Sequence, residues 1–329
     1  MPISRNKSRL PACRSTLYAC LLLAVIAGCR KEAPQQEKTH VIRVAANPQD
    51  RLLKPLTDAL KKTLSERFPA EVTSVNQRSL TNNAGQIQQG EIELAVIPAN
   101  IAYLAYTQGW DDLREPHRRL RGVAVLDTIP LHLIARDDSG IKRLREIRGK
   151  RIGIGGGRDS TTAVTAEMIL SSLQLSPEDV HVTWMPAAVA VEQLGTGKLD
   201  AVFNRGNTQE FTVEEAMRKL VGVKGARLVP ILRSETEEIG STHPFLRPIS
   251  IPAGMYGDHI EMETIGVDSL MVCSDTLPEE LVYWITRTLV ELRSGIASAT
   301  HVDPDRVHAT PIPLHPGAAR YYRERELFH

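Results

Sequence analysis

The sequence has few aromatic residues and almost no net charge, and each shortage excludes a class of function. Phe, Trp and Tyr make up 5% of the 329 residues, which argues against a stacking platform for bases or sugars. Forty Lys and Arg residues against 39 Asp and Glu residues give a formal charge of +1, so no nucleic-acid partner is indicated. The rest, 42% hydrophobic and 24% charged, is typical of a globular protein long enough to build a core.

Motifs of common enzyme classes are also missing. The sequence contains neither a Gly-x-Ser-x-Gly nucleophile elbow nor the Gly-Lys-Ser/Thr loop of NTPases. His301, His308 and His315 recur every seven residues, but prolines stand between them, so they cannot share a helix face as metal ligands. We therefore expect a protein that is not an enzyme, with no catalytic residues, no cofactor and no metal.

The N-terminus has the pattern of a bacterial export signal. Basic residues precede an apolar run, Leu17 to Ala27, that is too short to span a bilayer comfortably. The run ends in Val25-Ile-Ala-Gly-Cys29, which resembles a lipobox; a plain signal peptide with a chance cysteine is the alternative. Cleavage would remove residues 1–28 and leave a chain acylated at Cys29. Residues 29–39 would then tether it to the membrane on the periplasmic side.

The cysteines agree with that interpretation. Two of the four leave with the signal and Cys29 takes the lipid, so Cys273 remains alone and cannot form an internal disulfide. Because Cys273 ends the apolar run Leu270-Met-Val-Cys273, we interpret it as a small buried core residue.

From residue 40 onwards predicted strands alternate with predicted helices, which is typical of an α/β protein with a mostly parallel sheet. The predicted strands are 40–46, 71–76, 91–97, 122–126, 131–136, 151–154, 180–185, 198–203, 227–232 and 264–273. The predicted helices are 52–68, 81–89, one capped by Asn100, one capped by Ser160, 188–194, 279–294 and 317–326.

One sequence pattern occurs twice, as Gly90-Glu-Ile-Glu-Leu-Ala-Val96 and as Gly197-Lys-Leu-Asp-Ala-Val202. It indicates either two unrelated helix-to-strand corners or two lobes built on one αβ plan, and we favour the second. Since no low-complexity linker follows residue 39, two such lobes would have to share strands that cross between them.

A glycine-rich turn stands out near the middle of the chain. Arg151 to Ile154 predicts a buried strand, Gly155-Gly156-Gly157 a turn whose backbone can take positive φ and approach another group closely, and Ser160 the N-cap of a helix. A turn that leads into a helix N-terminus suits an anion, although many such turns bind nothing. The dinucleotide fingerprint is absent, because Arg158 stands where it requires glycine.

Three segments resemble the TAXI family of substrate-binding proteins from TRAP transporters. They are the tail Pro311 to Glu324, the run Ile251 to Tyr256 with Thr264 to Val267 and Leu277 to Tyr283, and the stretch from Arg136 to the helix that contains Thr165. Together with residues 90–106, the resemblance covers nearly the whole mature chain.

The resemblance implies a two-lobed, periplasmic-binding-protein-like (type II) α/β fold with a hinge and an interlobe cleft. Lobe 1 would comprise residues 40–128 and 275–329, and lobe 2 residues 129–274. The cleft would capture a small organic anion of the dicarboxylate or acidic amino acid type, and a monomeric receptor would deliver it to a TRAP-type permease.

The resemblance also implies which residues line the cleft. They are Asn47, Gln49, Thr81, Asn82, Asn100, Gly156, Gly157, Arg158, Ser160, Thr161, Thr162, Asn204 and Arg205. We expect Arg205 to hold a ligand carboxylate, because it follows a strand end and its planar fork can bind bidentately. A solvated loop arginine is the alternative, and Arg158 competes for the role. Ser160 and its two threonine neighbours would donate to the anion or only cap the helix.

One departure from the family pattern concerns the loop after the first strand. Family members usually carry a glycine-rich loop with paired tyrosines there, whereas this chain has Asn47-Pro-Gln-Asp-Arg-Leu-Leu-Lys-Pro55, without glycine. The alternative function is therefore a membrane-anchored sensory or interaction protein on the same scaffold that has lost or changed its transport ligand.

Overall fold

The computed structural model describes residues 40–46, 53–76, 81–110, 112–176, 178–206, 221, 225–254, 261–293 and 306–326. The chain divides into two units, 1–38 and 39–329, and every described residue belongs to the second. The predicted export signal, Cys29, the tether, Asn47 and Gln49 lie outside the described residues.

The described part of the chain follows the predicted alternation closely. Its strands are β1 (His40–Ala46), β2 (Ala70–Asn76), β3 (Leu94–Pro98), β4 (Leu120–Arg136), β5 (Arg151–Gly155), β6 (His181–Met185), β7 (Ala201–Arg205), β8 (Ala226–Val229), β9 (Leu246–Ile251) and β10 (Met262–Ser274). Its helices are α1 (Leu53–Arg67), α2 (Asn83–Gln89), α3 (Ala99–Gln108), α4 (Thr161–Ser172), α5 (Ala187–Gly195), α6 (Arg233–Thr242), α7 (Glu279–Arg293) and α8 (Pro316–Glu326). Two 3₁₀ turns, Asp137–Ser139 and Leu144–Ile147, precede β5.

Two arrays of parallel strands share one plan. In the first array β1 pairs with β2 and β3, and in the second array β5 pairs with β6 and β7. The order in each is strand, helix, strand, helix, strand, namely β1-α1-β2-α2-β3 and β5-α4-β6-α5-β7. A repeated plan confirms the prediction drawn from the twice-occurring sequence pattern.

Two long antiparallel strands, β4 and β10, join the arrays into one sheet ordered β2-β1-β3-β10-β4-β7-β5-β6. Residues 269–273 of β10 pair with β3. Residues 131–136 of β4 pair with β7 and with β8. The expectation of crossing strands is therefore confirmed.

The prediction of two separate strands at 122–126 and 131–136 is wrong, since β4 continues through Pro130. Pro130 lies opposite Gly266 of β10, and its carbonyl accepts a hydrogen bond of 2.7 Å from the Gly206 amide. Proline lacks only the N–H, so a position that supplies a carbonyl can hold it without ending the strand.

The repeated corner is built from the same contacts in both arrays. Gly90 and Gly197 each end a helix segment with left-handed φ, +76° and +78°. The acid three residues later then accepts from the arginine of the neighbouring strand: Glu93 from Arg43, and Asp200 from Arg151. Each acid also accepts the backbone N–H of that arginine, at 2.7 Å and 2.9 Å.

The hydrophobic core runs through both arrays. Its largest cluster includes Ile97 of β3 and Ile101 of α3 together with Ile154 of β5 and Phe203 of β7, all fully buried. A second cluster lies under α1 and α7, where Cys273 is also buried. Burial raises the pKa of the Cys273 thiol, which agrees with the prediction of an inert core residue. Among the described helices, none is long and apolar enough to cross a membrane.

Candidate functional site

The candidate site lies where the carboxyl ends of the parallel strands meet the crossing strands. Pro98, the last residue of β3, pairs with Ser269, and Ser269 pairs with Asp127 of β4. A few residues further along β4, Leu131 pairs with Arg205, the last residue of β7. Ligands of open α/β sheets bind outside such strand ends, at the point where the strand order reverses, so this edge is the place to examine.

The glycine turn after β5 is tightly packed. Gly156 has φ of +110°, and a Cβ on it would stand 2.5 Å from the Ser160 Oγ. A Cβ on Gly157 would stand 2.8 Å from a carboxylate oxygen of Asp159. Gly156 therefore adopts the positive φ that the sequence allows in this turn, and a side chain there would meet Ser160.

Ser160 caps α4, as predicted. Its hydroxyl accepts the Ala163 amide at 3.2 Å, and its carbonyl accepts the Val164 amide at 3.0 Å. Thr161 and Thr162 follow in the first turn and are buried. Their amides belong to the helix end that has no intrahelical acceptor, and the helix dipole adds positive potential there. This end of α4 suits a negatively charged group.

Asn204, the penultimate residue of β7, is a buried polar residue with an unmet hydrogen bond. Its side chain is 3% exposed, and its Oδ1 would stand 2.9 Å from a Cβ on Gly155. Its Nδ2 atom is buried and finds no acceptor within the described part of the chain. Because buried donors in folded proteins are nearly always paired, this atom is a strong candidate to contact a ligand.

The two candidate arginines have different surroundings. Arg205 has an exposed side chain, and no ion pair links it to another described residue. Arg158 is also exposed, but its guanidinium lies over the Trp184 ring, 3.9 Å from the ring centroid. Its charge also acts on Glu167, where burial raises the pKa of the carboxyl and Arg158 opposes that rise. The two arginines thus differ in the ring contact that Arg158 makes with Trp184.

Asn100 occupies a structural position between α3 and α4. It is fully buried, its Nδ2 donates to the Thr165 Oγ1 at 3.0 Å, and its Oδ1 accepts the Ile101 amide at 2.9 Å. The prediction that Asn100 caps α3 is wrong, since that helix begins at Ala99 with Pro98 as its N-cap. The Nδ2 bond of Asn100 thus links α3 to α4, and its Oδ1 bond stays within α3.

The residues at the start of α2 include one that sequence reasoning missed. Thr81 is buried, and its hydroxyl donates to the half-buried Asn82 at 3.3 Å. The next residue, Asn83, is fully buried and donates through Nδ2 to the Val96 carbonyl at 2.9 Å. Its Oδ1 receives no hydrogen bond from any described residue. A run of polar residues at 81–83 was the available signal, but the sequence could not show that Asn83 is buried.

The crossing strands carry buried polar residues that sequence reasoning also missed. Asp268 of β10 forms an ion pair with Arg247 of β9 and accepts the Thr128 hydroxyl at 2.8 Å. Burial raises the pKa of the Asp268 carboxyl, and Arg247 opposes that rise. His132, the cross-strand neighbour of Asn204, is fully buried, and burial lowers its pKa to about 3. It is therefore neutral at physiological pH.

A search for metal ligands among the described residues finds no group of three His, Cys, Asp or Glu side chains that could hold an ion. The site thus offers hydrogen-bond donors, the exposed guanidinium groups of Arg158 and Arg205 and a helix N-terminus, a set of groups that suits an anion.

Several solved structures share this fold. XAC2383 from Xanthomonas citri matches with a TM-score of 0.51, at 11% identity over 87% of this chain and 99% of that one in its chloride-bound form. Its ATP-bound form matches with the same TM-score, at 13% identity over 87% and 94%. A putative sulfonate-binding protein from Methylobacillus flagellatus, periplasmic and part of an ABC transporter, gives 0.51 at 14% identity over 88% and 86%.

At these identities the likeness concerns the fold, which is the two-lobed α/β fold of periplasmic binding proteins with two arrays joined by crossing strands. A family model described as the NMT1-like family matches residues 55–325, well over half of the chain, and this protein therefore belongs to the NMT1-like family.

Proposed function

We propose that this protein is an extracytoplasmic receptor that binds a small organic anion in the cleft between its two arrays. The observation that carries the proposal is the buried Nδ2 of Asn204, which has no acceptor within the described chain. A buried donor left unpaired costs about 1–3 kcal/mol, and an oxygen of a bound anion would satisfy it.

The surroundings of Asn204 favour an anionic acceptor. Its side chain lies against Gly155, one residue before the turn that leads to the N-terminus of α4. The amides of Thr161 and Thr162 and the helix dipole favour negative charge there. Arg205, the next residue along β7, can hold a carboxylate with two parallel hydrogen bonds. Three kinds of donor thus stand at one sheet edge.

The structural neighbours support an anion as well. The Xanthomonas citri protein is described with chloride and with ATP, and the Methylobacillus flagellatus protein as sulfonate-binding. All three ligands are anions. For this chain, the sequence resemblance favours a dicarboxylate or an acidic amino acid.

The remaining parts of the proposal come from the sequence. The TAXI resemblance supports delivery of the ligand to a TRAP-type permease, and the lipobox-like segment supports acylation at Cys29 on the periplasmic side. The lobes would be residues 40–128 with 275–329, and residues 129–274. A receptor of this kind needs no catalytic residue.

The test is ligand binding by the chain without its export signal. Native mass spectrometry would first identify anything that co-purifies, and thermal shift and calorimetry would follow with dicarboxylates, acidic amino acids and sulfonates. One ligand class should stabilise the protein saturably. Arg205→Ala and Asn204→Ala should each weaken its binding by about 10- to 100-fold, the range expected for a lost charge-assisted or buried hydrogen bond.

Arg158→Ala is the matched comparison, because Arg158 is an exposed arginine already stacked on Trp184. We expect it to change the dissociation constant by less than about 3-fold, the factor that corresponds to about 0.6 kcal/mol. If no member of the panel binds, the receptor proposal fails.

The alternative is a sensory or interaction protein on this scaffold, motivated by the absence of glycine in the loop after β1. It predicts that affinity purification from the native membrane recovers a signalling protein in place of a permease, together with an empty cleft in native mass spectrometry.

A further inference from the structure

Two buried asparagines at the candidate site have unmet hydrogen bonds of opposite kind. Asn204 leaves a donor unpaired, and Asn83 leaves an acceptor, its Oδ1, unpaired within the described part of the chain. Both side chains are more than nine-tenths buried, with Asn83 at 0% exposed and Asn204 at 3%. The Nδ2 of Asn83 donates to the Val96 carbonyl at 2.9 Å, so the atom of this amide that lacks a partner is the acceptor, Oδ1.

The two residues belong to different arrays but to the same edge of the sheet. Asn83 begins α2, and Val96 lies two residues before β3 ends at Pro98. Asn100, two residues after Pro98, bonds to Thr165 of α4, whose N-terminus follows the turn beside Asn204. Two hydrogen bonds and the chain segments between them therefore link the start of α2, through α3 and α4, to the turn beside Asn204.

Buried, unpaired amide atoms each cost free energy unless something pairs with them. An anion alone can satisfy Asn204, because its oxygens only accept hydrogen bonds. It cannot satisfy Asn83, whose carbonyl oxygen requires a donor.

We propose that the ligand of this site is an anion that also carries a hydrogen-bond donor, a hydroxyl or an amino group, and that the Oδ1 of Asn83 accepts from that donor. This inference rests on the proposed function, since it assigns the substrate class of the same cleft. Asn83 thereby becomes a specificity residue contributed by the first array, while the second array contributes the anion-binding residues.

The test compares acids that differ by one substituent. Three sets serve: succinate, malate and aspartate; glutarate, 2-hydroxyglutarate and glutamate; and ethanesulfonate, isethionate and taurine. Each set keeps the anionic groups and changes one hydrogen to a hydroxyl or an amino group. We expect at least one donor-bearing acid to bind the wild-type protein about 10-fold more tightly than its parent, as a buried hydrogen bond of about 1.4 kcal/mol would give. Whether the hydroxyl or the amino member binds more tightly identifies the donor.

Variants then assign the preference to Asn83. Asn83→Leu, which keeps the side-chain size and removes the acceptor, should bring the ratio of dissociation constants within the set to about 1. Asn204→Leu should weaken every member of the set alike and leave the ratio as in the wild type. Should Asn83→Leu fail to fold, the ratio measured on the wild-type protein still decides.

Equal affinity for parent and donor-bearing acids in every set that binds would overturn the inference while leaving the receptor proposal intact. That result would mean that Asn83 is satisfied by a buried water instead. Absence of binding by all nine acids would overturn the receptor proposal itself, which is a different outcome in the same experiment.

Discussion

The two arrays of parallel strands are built alike at one end and differently at the other. At their amino ends, each has a left-handed glycine, Gly90 or Gly197, followed by an acid that binds an arginine of the next strand. At the carboxyl ends the likeness stops. In the first array β3 leads directly into α3, whereas in the second β7 ends with Asn204 and Arg205 at the candidate site.

That difference is clearest in two asparagines near the ends of corresponding strands. Asn100, just after β3, has its donor and its acceptor both occupied, by Thr165 and by the Ile101 amide. Asn204, at the end of β7, has a buried donor without an acceptor among the described residues. The two arrays thus share a scaffold, and they differ in whether the asparagine near the strand end has its side-chain hydrogen bonds satisfied.

The first prediction concerns the exchange of these asparagines for alanine, which should have the largest effect at neutral pH. Asn100→Ala should lower the free energy of unfolding by about 2–3 kcal/mol, because two buried hydrogen bonds are lost and their partners stay buried. Asn204→Ala should cost less than about 1 kcal/mol in the absence of ligand, since its Nδ2 has no bond to lose. Urea denaturation of the ligand-free variants measures both values.

Thr165→Val provides a control for the first of these values, since it removes the same bond from the α4 side. The double variant Asn100→Ala/Thr165→Val should lose less stability than the sum of the single changes. A cost for Asn204→Ala as large as that for Asn100→Ala would remove the distinction between the two residues.

The second prediction concerns His132, the cross-strand neighbour of Asn204. Burial lowers its pKa from 6.5 to about 3, so the folded protein keeps it neutral while the unfolded chain takes up a proton below pH 6.5. The free energy of unfolding should therefore fall as the pH drops from 6.5 towards 3, with His132 contributing about 1.4 kcal/mol per pH unit.

His132→Leu isolates that contribution. Whatever the variant costs at pH 7, its stability should decline less steeply than that of the wild type between pH 6 and pH 4, as followed by urea denaturation at each pH. Parallel pH profiles for the two proteins would show that His132 is not buried in its neutral form.

A third and smaller effect tests whether the two corners are alike in energy. Gly90→Ala and Gly197→Ala should each cost about 1–2 kcal/mol, because alanine disfavours the left-handed φ that both positions adopt. Gly197→Ala should cost more. A Cβ there overlaps the guanidinium of Arg136, whereas a Cβ on Gly90 stands 3.0 Å from that of Arg119. The reverse order in urea denaturation would show that Arg136 moves aside freely.

Much of the fold could be predicted because local pattern and tertiary structure agree. The alternation at 40–46 gave β1 its observed bounds, and the apolar spacing after residue 279 gave α7 to within a residue. Where the outcome depended on a partner strand, the prediction failed. Pro130 ends a strand only when its missing N–H is needed, and that depends on its register with β10. Helix α6 was missed because Arg233–Thr242 has few apolar residues to show a period.

The candidate site likewise has features that could be predicted from the sequence and features that could not. The cap at Ser160 and the positive φ at Gly156 follow from local chemistry and could be predicted. The role of Asn100 could not, since its partner Thr165 lies 65 residues away. Likewise, the unmet acceptor of Asn83 exists only because the fold buries it. Sequence identifies which residues can bind, and tertiary contacts decide which of them remain free to do so.

The smallest expected effect compares the acids of the two corners. Arg151 lowers the pKa of the Asp200 carboxyl below 3.8. The stabilisation that the Asp200–Arg151 pair gives the folded protein is therefore complete above pH 3.8. It is lost as the pH falls through the lower pKa that Asp200 has in the folded state. Asp200→Asn should cost up to about 1 kcal/mol at pH 7, because Arg151 is half exposed and solvent weakens the pair. Below the folded-state pKa of Asp200 the variant should approach the wild type.

Glu93→Gln is the matched variant of the first array, where the acid makes the same side-chain and backbone contacts with Arg43. If the two corners are equivalent, both variants should lose similar stability at pH 7, and 1 M salt should reduce both losses, since exposed ion pairs are screened. A loss of stability in only one of the two variants would show that the two corners share their geometry but contribute differently to the free energy of unfolding. The likeness of the two arrays would then extend to their backbone course but not to what stabilises each of them.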